Sequence, residues 1–505
     1  MSESVQDRKA LVAIDLGAGS CRVSLLRWQD EVPDISLVYR FPNSPIDDSS
    51  GLHWDLPHIL TNVEKGLRDC AQIATEGIAS IGVDGWAVDY VRLDSAGKPI
   101  GNPFCYRDQR NAIARAEVHQ HISADRLYEL SGAQSIPLNT LYQLYADSAS
   151  GIDQNLSWVN LPEYLLHYLG GKRVSEYTNA THTELLGVKD QQWCAEIFSA
   201  TGLEIEAAPP LVKSGTDVGN LNGSLAELVA FRETRLIVPA CHDTASAIAG
   251  IPAHGDDWAF ISSGTWSLVG CVLDAPQTSA RARASNFSNE GGVGGKTYFL
   301  KNVNGMWMIQ QCLEHWEGHG GSWNLDHLQE SCGKLPDPEY LLQVDEPDLL
   351  QPGNMVGRIN AQLASTGRPS VSGHPDDAPE VANLIFHSLA ARYAEVLQDL
   401  EQTTGKKFKR LLIVGGGSRN LLLNQLTARA TGLEVTTGPA ECATIGNFAV
   451  QMASLSGAYS DSLGVDAATV AGFAGLLADK LITSERRPNS SVIGTESRES
   501  ERPSG

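Results

Sequence analysis

Apolar positions along this chain fall in short runs broken by small-residue turns, the pattern of buried strands in an α/β protein. Ala10-Leu-Val-Ala-Ile14 predicts one strand and Val23 to Trp28 a second, with the tight turn Asp15-Leu-Gly-Ala-Gly-Ser20 between them. The pattern returns at the start of the second half. Ala259 to Leu273 lies without gaps on Val12 to Leu26, setting Ile261 over Ile14, Gly264 over Gly17 and Ser262 over Asp15. Such a repeat predicts a duplicated domain in which only the first copy keeps the acid. Between the hairpins, Ile78 to Val83 and Tyr90 to Leu93 read as strands, and Asn62 to Ile73 and Leu161 to Leu169 as helices. An apolar strand from Leu236, closed by Val238 and Pro239, leads into a small-residue helix, Ala245 to Ala249. Further on, Met306 to Trp316 and Pro379 to Thr403 predict helices, and a proline suits the first turn of the latter. Arg410 to Val414 predicts a strand and Leu421 to Thr431 a helix; Glu434 to Asn447 repeats strand, turn and helix. Glu176 to Thr181 and Asn286 to Gly292 read as polar loops.

A chain of 505 residues exceeds one ordinary core and predicts two domains. The division expected is a polar tail over 1–9, a first domain over 10–249, a second over 250–484 and a disordered tail over 485–505, which is rich in Ser, Glu, Arg and Pro. A formal net charge of −22 argues against nucleic acid and anionic membrane as partners. No apolar run reaches the roughly 20 residues that span a bilayer, and the first residues lack an apolar signal core. Nine cysteines without a CxxC pair suggest scattered thiols rather than a disulfide framework or zinc site, which suits a reducing cytoplasm.

Several polar groups stand where chemistry could be done. His242-Asp243-Thr244 opens the small-residue helix. An acid there can simply cap exposed N–H groups. Its place between two apolar strands, with Ser262-Ser263-Gly264-Thr265 just beyond, also suits a phosphate site. Asp15, ending the first strand, is either an ordinary turn acid or a group that holds a hydrated Mg²⁺. Asp84, Trp86 and Asp89 cluster at a strand end, either as a sugar platform or as a core Trp with two solvated acids. Asn302 and Gln310 flank a helix start and are either structural amides or ligand contacts. Gly415-Gly416-Gly417, between strand and helix, makes a seat for adenosine or phosphate, because three glycines are more than a plain turn needs.

Four stretches together carry a resemblance: Ile14-Asp-Leu-Gly-Ala-Gly-Ser-Cys-Arg22, His242-Asp-Thr-Ala-Ser-Ala247, Ile261-Ser-Ser-Gly-Thr-Trp-Ser-Leu268 and Ile413-Val-Gly-Gly-Gly-Ser-Arg-Asn420. The set resembles the FGGY carbohydrate kinases, and within them the rhamnulokinase branch, from about residue 10 to about residue 480. The resemblance implies two actin-like, ribonuclease-H-like α/β domains with a central cleft. It implies transfer of the ATP γ-phosphoryl, with Mg²⁺, to the 1-hydroxyl of L-rhamnulose. By the same resemblance Asp243 is the catalytic base. Ala18, Gly19, Ser20, Cys21, Arg22 and Thr265 contact phosphates, and Gln310 with Gly415, Gly416 and Gly417 the nucleotide. Trp86, Ala87, His242, Asp243, Thr244 and Asn302 contact sugar. The family usually has Trp-Gly-Val-Asp where this chain has Trp86-Ala-Val-Asp89, and the added methyl trims the sugar site. Another ketose, such as L-fuculose or xylulose, and a non-catalytic ATP- and sugar-binding sensor are the competing readings.

Overall fold

The structure, a computed structural model, describes residues 9–29, 32–253, 255–439 and 441–485. The tails expected over 1–9 and 485–505 lie outside the described residues, apart from Lys9 and Glu485. Two six-stranded sheets form the body. The first contains β1 (Ala10–Leu16), β2 (Ser20–Gln29), β3 (Val32–Pro42), β4 (Ile78–Gly85), β5 (Asp217–Asn220) and β6 (Arg235–Ile237), in the order β5-β6-β4-β1-β2-β3. The second contains β7 (Trp258–Ser263), β8 (Trp266–Leu273), β9 (Ser288–Gly291), β10 (Thr297–Asn304), β11 (Arg410–Val414) and β12 (Glu434–Thr437), in the order β9-β10-β8-β7-β11-β12.

The sheets repeat one plan. In each, an antiparallel hairpin and a third antiparallel strand lie to one side of the first strand and two parallel strands to the other; the sheets differ at one edge, where β5 runs antiparallel to β6 in the first and β9 antiparallel to β10 in the second. The register repeats as well: Asp15 pairs with Asp84 between parallel β1 and β4, and Ser262 pairs with Val414 between parallel β7 and β11. The expected duplication is therefore visible in the sheets, with carboxylates retained only in the first.

Alternation along the central strands explains how the halves join. In β1, Val12, Ile14 and Leu16 point into the first core, while Leu11 and Ala13 point into a shared apolar cluster. In β7, Ala259 and Ile261 face the second core and Phe260 faces the shared cluster. Helix α1 (Leu56–Ile73) covers β2 and β3 of the first sheet. The short α2 (Asp243–Ala249) closes the first half, and α3 (Trp307–Gly318) follows β10. The long α4 (Ala378–Thr404) and α5 (Leu421–Thr431) cover the second sheet. The last of these helices, α6 (Cys442–Leu455), packs across both halves, against α2, β1 and β4. Two loop expectations are overturned. Asn286 to Gly292 contains strand β9, because its backbone completes the ladder on β10. Glu176 to Thr181 is a buried strand end and helical turn in which Glu176 accepts from Ser214 Oγ, Cys241 N and Thr178.

Contact between α2 and α6 is at backbone distance. A Cβ at Gly446 would sit 1.8 Å from the Ser246 carbonyl oxygen and 2.9 Å from Gly250 N. Backbone cannot move aside as a flexible side chain can, so Gly446→Ala should destabilise the protein by about 3 kcal/mol or more, the upper end of overpacking costs. Gly472→Ala, in the helix Ala467–Glu485 with nothing within 4 Å, serves as the control and should be neutral or stabilising. Chemical denaturation checks both. A wild-type midpoint for Gly446→Ala would refute the close-contact account.

Candidate functional site

Three carboxylates meet where β1, β4 and the start of α2 converge. Asp15 and Asp84 are register partners at the carboxyl ends of parallel strands, and Gly85 bridges His242, the residue before Asp243. Ligand crevices of open α/β sheets form at this end. Asp84 is wholly buried, and one of its oxygens accepts from Asn447 Nδ2 at 2.5 Å while the other has no partner. Burial, and then the charge of Asp15, hold the Asp84 carboxyl well above the usual carboxylate range. Asp15 is likewise raised by burial, against the pull of Arg22, whose guanidinium lies 2.9 Å away. Arg22 also reaches Glu441, just before α6, at 3.3 Å.

Protein surrounds Asp243, yet 35% of its side-chain surface stays exposed. Burial and then the charge of Asp15 push its carboxyl up to about 6. Its Oδ1 accepts from the adjacent Thr244, through N at 2.5 Å and Oγ1 at 3.2 Å, and His242 Nε2 lies 3.4 Å away. His242 occupies the N-cap, and Asp243, in the first turn, satisfies only the N–H of Thr244 beside it.

Around this centre the glycine-rich turns take unequal parts. Ala18 and Ser20 are half-buried and Gly19 exposed, with Ser20 Oγ held by Arg40 at 3.0 and 3.2 Å. Cys21 points into the core, its thiol pushed up to about 12 by burial, so only its backbone can face a ligand. Thr265 is half-buried in the β7–β8 turn, and its carbonyl accepts from Trp307 N at the start of α3. On the next turn of α3, Gln310 is exposed. Two of the three glycines in the Gly415 run answer a packing need: a Cβ at Gly415 would meet the Ser263 carbonyl oxygen at 2.7 Å, and one at Gly417 would meet Ser263 Oγ at 2.0 Å. Gly416 alone is exposed with open space around it. Packing against Ser263 thus accounts for two of the three glycines without reference to a ligand.

Trp86-Ala87-Val88-Asp89, the stretch expected at the sugar, forms a strained turn. Val88 has φ +73°, an outlier for a β-branched residue. Thr140 Oγ1 and Gln143 Nε2 hold the Val88 carbonyl at 2.7 and 3.3 Å. Asp89 is fully buried and collects Trp86 Nε1 at 2.9 Å, Trp54 Nε1 at 2.5 Å and Gln143 Nε2 at 2.9 Å. Neither Asp84 nor Asp89 is therefore a solvated acid, and Trp86 is anchored with little exposed surface. Asn302 gives its backbone N–H and Nδ2 to Gln134 Oε1 at 2.9 and 3.0 Å. Among the described residues no hydrogen bond joins it to His242, Asp243 or Thr244. The grouping of Asp84 with Asp15 and Asp243 escapes the sequence, though two acids ending parallel strands are its signal. His182 and Glu290, which pack against His242, carry no such signal.

Comparison with known proteins agrees with this geometry. Family models for the FGGY family of carbohydrate kinases match residues 10–250 (N-terminal domain) and 259–455 (C-terminal domain). The chain is 35% identical over 455 residues to the rhamnulokinase of Enterococcus faecalis, covering 90% of each protein. It is 32% identical over 444 residues to that of Ligilactobacillus salivarius, covering 88% of this chain and 90% of the relative. Among solved structures, ligand-bound xylulose kinase from Lactobacillus acidophilus superposes with a TM-score of 0.73 at 16% identity, covering 95% of this chain and 99% of that one. Plasmodium falciparum glycerol kinase with ADP gives 0.70 at 13%, covering 94% and 96%.

Gathering three carboxylates around one arginine leaves them short of counter-charge, which is costly for the wholly buried Asp84. Because the folded pKa of Asp84 is raised, its contribution to stability is full at acid pH and is lost as pH rises. Asp84→Asn removes that titration. In chelator-treated protein the variant should melt higher than wild type at neutral pH, with the gap closing as pH falls toward about 4, the ordinary aspartate range. Scanning calorimetry across pH checks this. A variant less stable than wild type at neutral pH would contradict it.

Proposed function

Because the chain belongs to the FGGY family of carbohydrate kinases, we propose that it transfers the γ-phosphoryl group of ATP to the 1-hydroxyl of L-rhamnulose, giving L-rhamnulose 1-phosphate and ADP in L-rhamnose catabolism. The observation that carries the choice of sugar is the likeness to rhamnulokinases across both domains. Phosphoryl transfer asks a protein for positioning, charge neutralisation and an oriented nucleophile. Asp243 is the base in this reading: its side chain is partly exposed, and a carboxyl near 6 is a competent proton acceptor at neutral pH. The backbone of Ala18 to Arg22 and the Thr265 turn face the phosphates. Gln310 and the Gly415–Gly417 turn, with Gly416 its open member, serve the nucleotide. The Ala87 turn, Trp86, His242, Thr244 and Asn302 bound the sugar.

Mg²⁺ fits the acid cluster. Asp15 and Asp243 would hold its hydration shell, and Asp84, with an oxygen that no donor satisfies, stands behind them. When bound, the ion supplies positive charge against the phosphates. The division near residue 250 is part of the same reading, supported by a first sheet drawn from earlier residues and a second drawn from later ones. Nine free thiols support a reducing, cytoplasmic setting, and among the described residues no helix is long and apolar enough to cross a membrane. A second reading, another ketose such as L-fuculose or xylulose, is favoured by one observation, the Ala87 methyl on the strained turn.

Sugar-dependent ADP formation, measured across a panel of ketoses with wild type and Asp243→Asn, tests the proposal. L-Rhamnulose should give the highest kcat/KM. The variant should keep sugar and ATP binding and lose roughly 10²–10⁴-fold in kcat, the usual worth of a positioned base. A ketose other than L-rhamnulose leading the panel would overturn the substrate. Near-normal kcat in folded Asp243→Asn would overturn the base.

A further inference from the structure

Beside Asp243, three groups converge whose facing ring nitrogens and carboxylate oxygens form no hydrogen bond among the described residues. His182 lies in the turn Thr181–Thr183, His242 at the N-cap of α2, and Glu290 in the middle of β9. Glu290 keeps only 1% of its side-chain surface exposed, yet neither of its oxygens accepts a hydrogen bond. His182 Nε2 and His242 Nδ1 are equally buried and unpartnered. A buried carboxylate left this way is expensive, and native proteins rarely tolerate one without a compensating group.

The spacing indicates what that group is. His182 Nε2 lies 3.1 Å and His242 Nδ1 3.8 Å from the same oxygen, Glu290 Oε2, and the imidazole centroids are 3.9 Å apart. One ligand atom from each residue falls within a sphere where all lie within 4.8 Å of one another. The 3.8 Å separation is too long for a hydrogen bond. Ligand atoms sharing a tetrahedral ion at bonds of about 2.0–2.2 Å stand about 3.4 Å apart, between the two observed separations. Two imidazoles and a carboxylate are borderline donors of the zinc type, unlike the all-oxygen acid cluster next door, which suits Mg²⁺.

We propose that His182, His242 and Glu290 form a binding site for a transition-metal dication of the Zn²⁺ class, distinct from the carboxylate cluster. Three protein ligands leave a fourth position for water or an oxygen of a bound small molecule. Two ligands come from the first half of the chain and one from the second, so a bound ion ties the halves together beside the cleft.

Calorimetric titration of chelator-stripped protein with Zn²⁺ tests this. Excess Mg²⁺ keeps the acid cluster from reporting, and neither sugar nor nucleotide is added, so the result is independent of the kinase reading. Wild type should bind one Zn²⁺ per chain. Glu290→Gln and His182→Asn should each weaken binding by more than the roughly 10–100-fold that losing a supporting partner costs. Co²⁺ should give the visible bands of a four-coordinate site in wild type and lose them in both variants. If Glu290→Gln does not fold, His182→Asn, at a less buried position, carries the comparison. Absence of stoichiometric Zn²⁺ binding to wild type would overturn the site. Binding unchanged in a folded variant would overturn the ligand assignment.

Discussion

Among the described glycines the tightest approach is at the crossing of α2 and α6, where Gly446 lies on the Ser246 carbonyl with no room for a methyl. That approach brings the face of α6 onto the first sheet. Asn447 and Gln451 then reach β4 over Gly82, where a Cβ would strike Asn447 Oδ1 at 2.5 Å. Gln451 Nε2 donates to the Val12 carbonyl at 3.0 Å and its Oε1 accepts from Ser80 at 2.6 Å. Asn447 completes the set by holding Asp84. A helix contributed by the second half is thus the lid on the polar heart of the first.

That lid explains how the acid cluster persists. Removing water from Asp15, Asp84 and Asp243 raises all three carboxyls, and the arrangement is tolerated because surrounding packing over-determines it. The same holds for the Val88 turn, whose positive φ is fixed by hydrogen bonds from Thr140 and Gln143. Stability is given up where charge and backbone must be held ready for a ligand.

Much of this was legible in residue pattern. The gapless match of Val12–Leu26 with Ala259–Leu273 foretells two sheets with the same register, and the small residues after His242 foretell a helix that another can approach closely. Other features depend on distant partners and leave no local trace. Glu290 reads as part of a loop because its strand exists only through pairing with β10. One of the two readings of Asp89, a solvated acid, fails because two of its donors, Trp54 and Gln143, are far away in sequence. The Gly415 run reads as a ligand seat, while Ser263, which demands two of its glycines, lies on another strand.

The central claim is that Asp243 accepts the proton while a sugar hydroxyl attacks ATP directly, with no phosphorylated protein group between. Its most direct test is the stereochemical course of transfer from ATP made chiral at the γ-phosphorus by isotopic labelling. A single in-line displacement predicts inversion at phosphorus in the sugar phosphate. Retention would mean two displacements through a phosphoenzyme and would contradict the role given to Asp243.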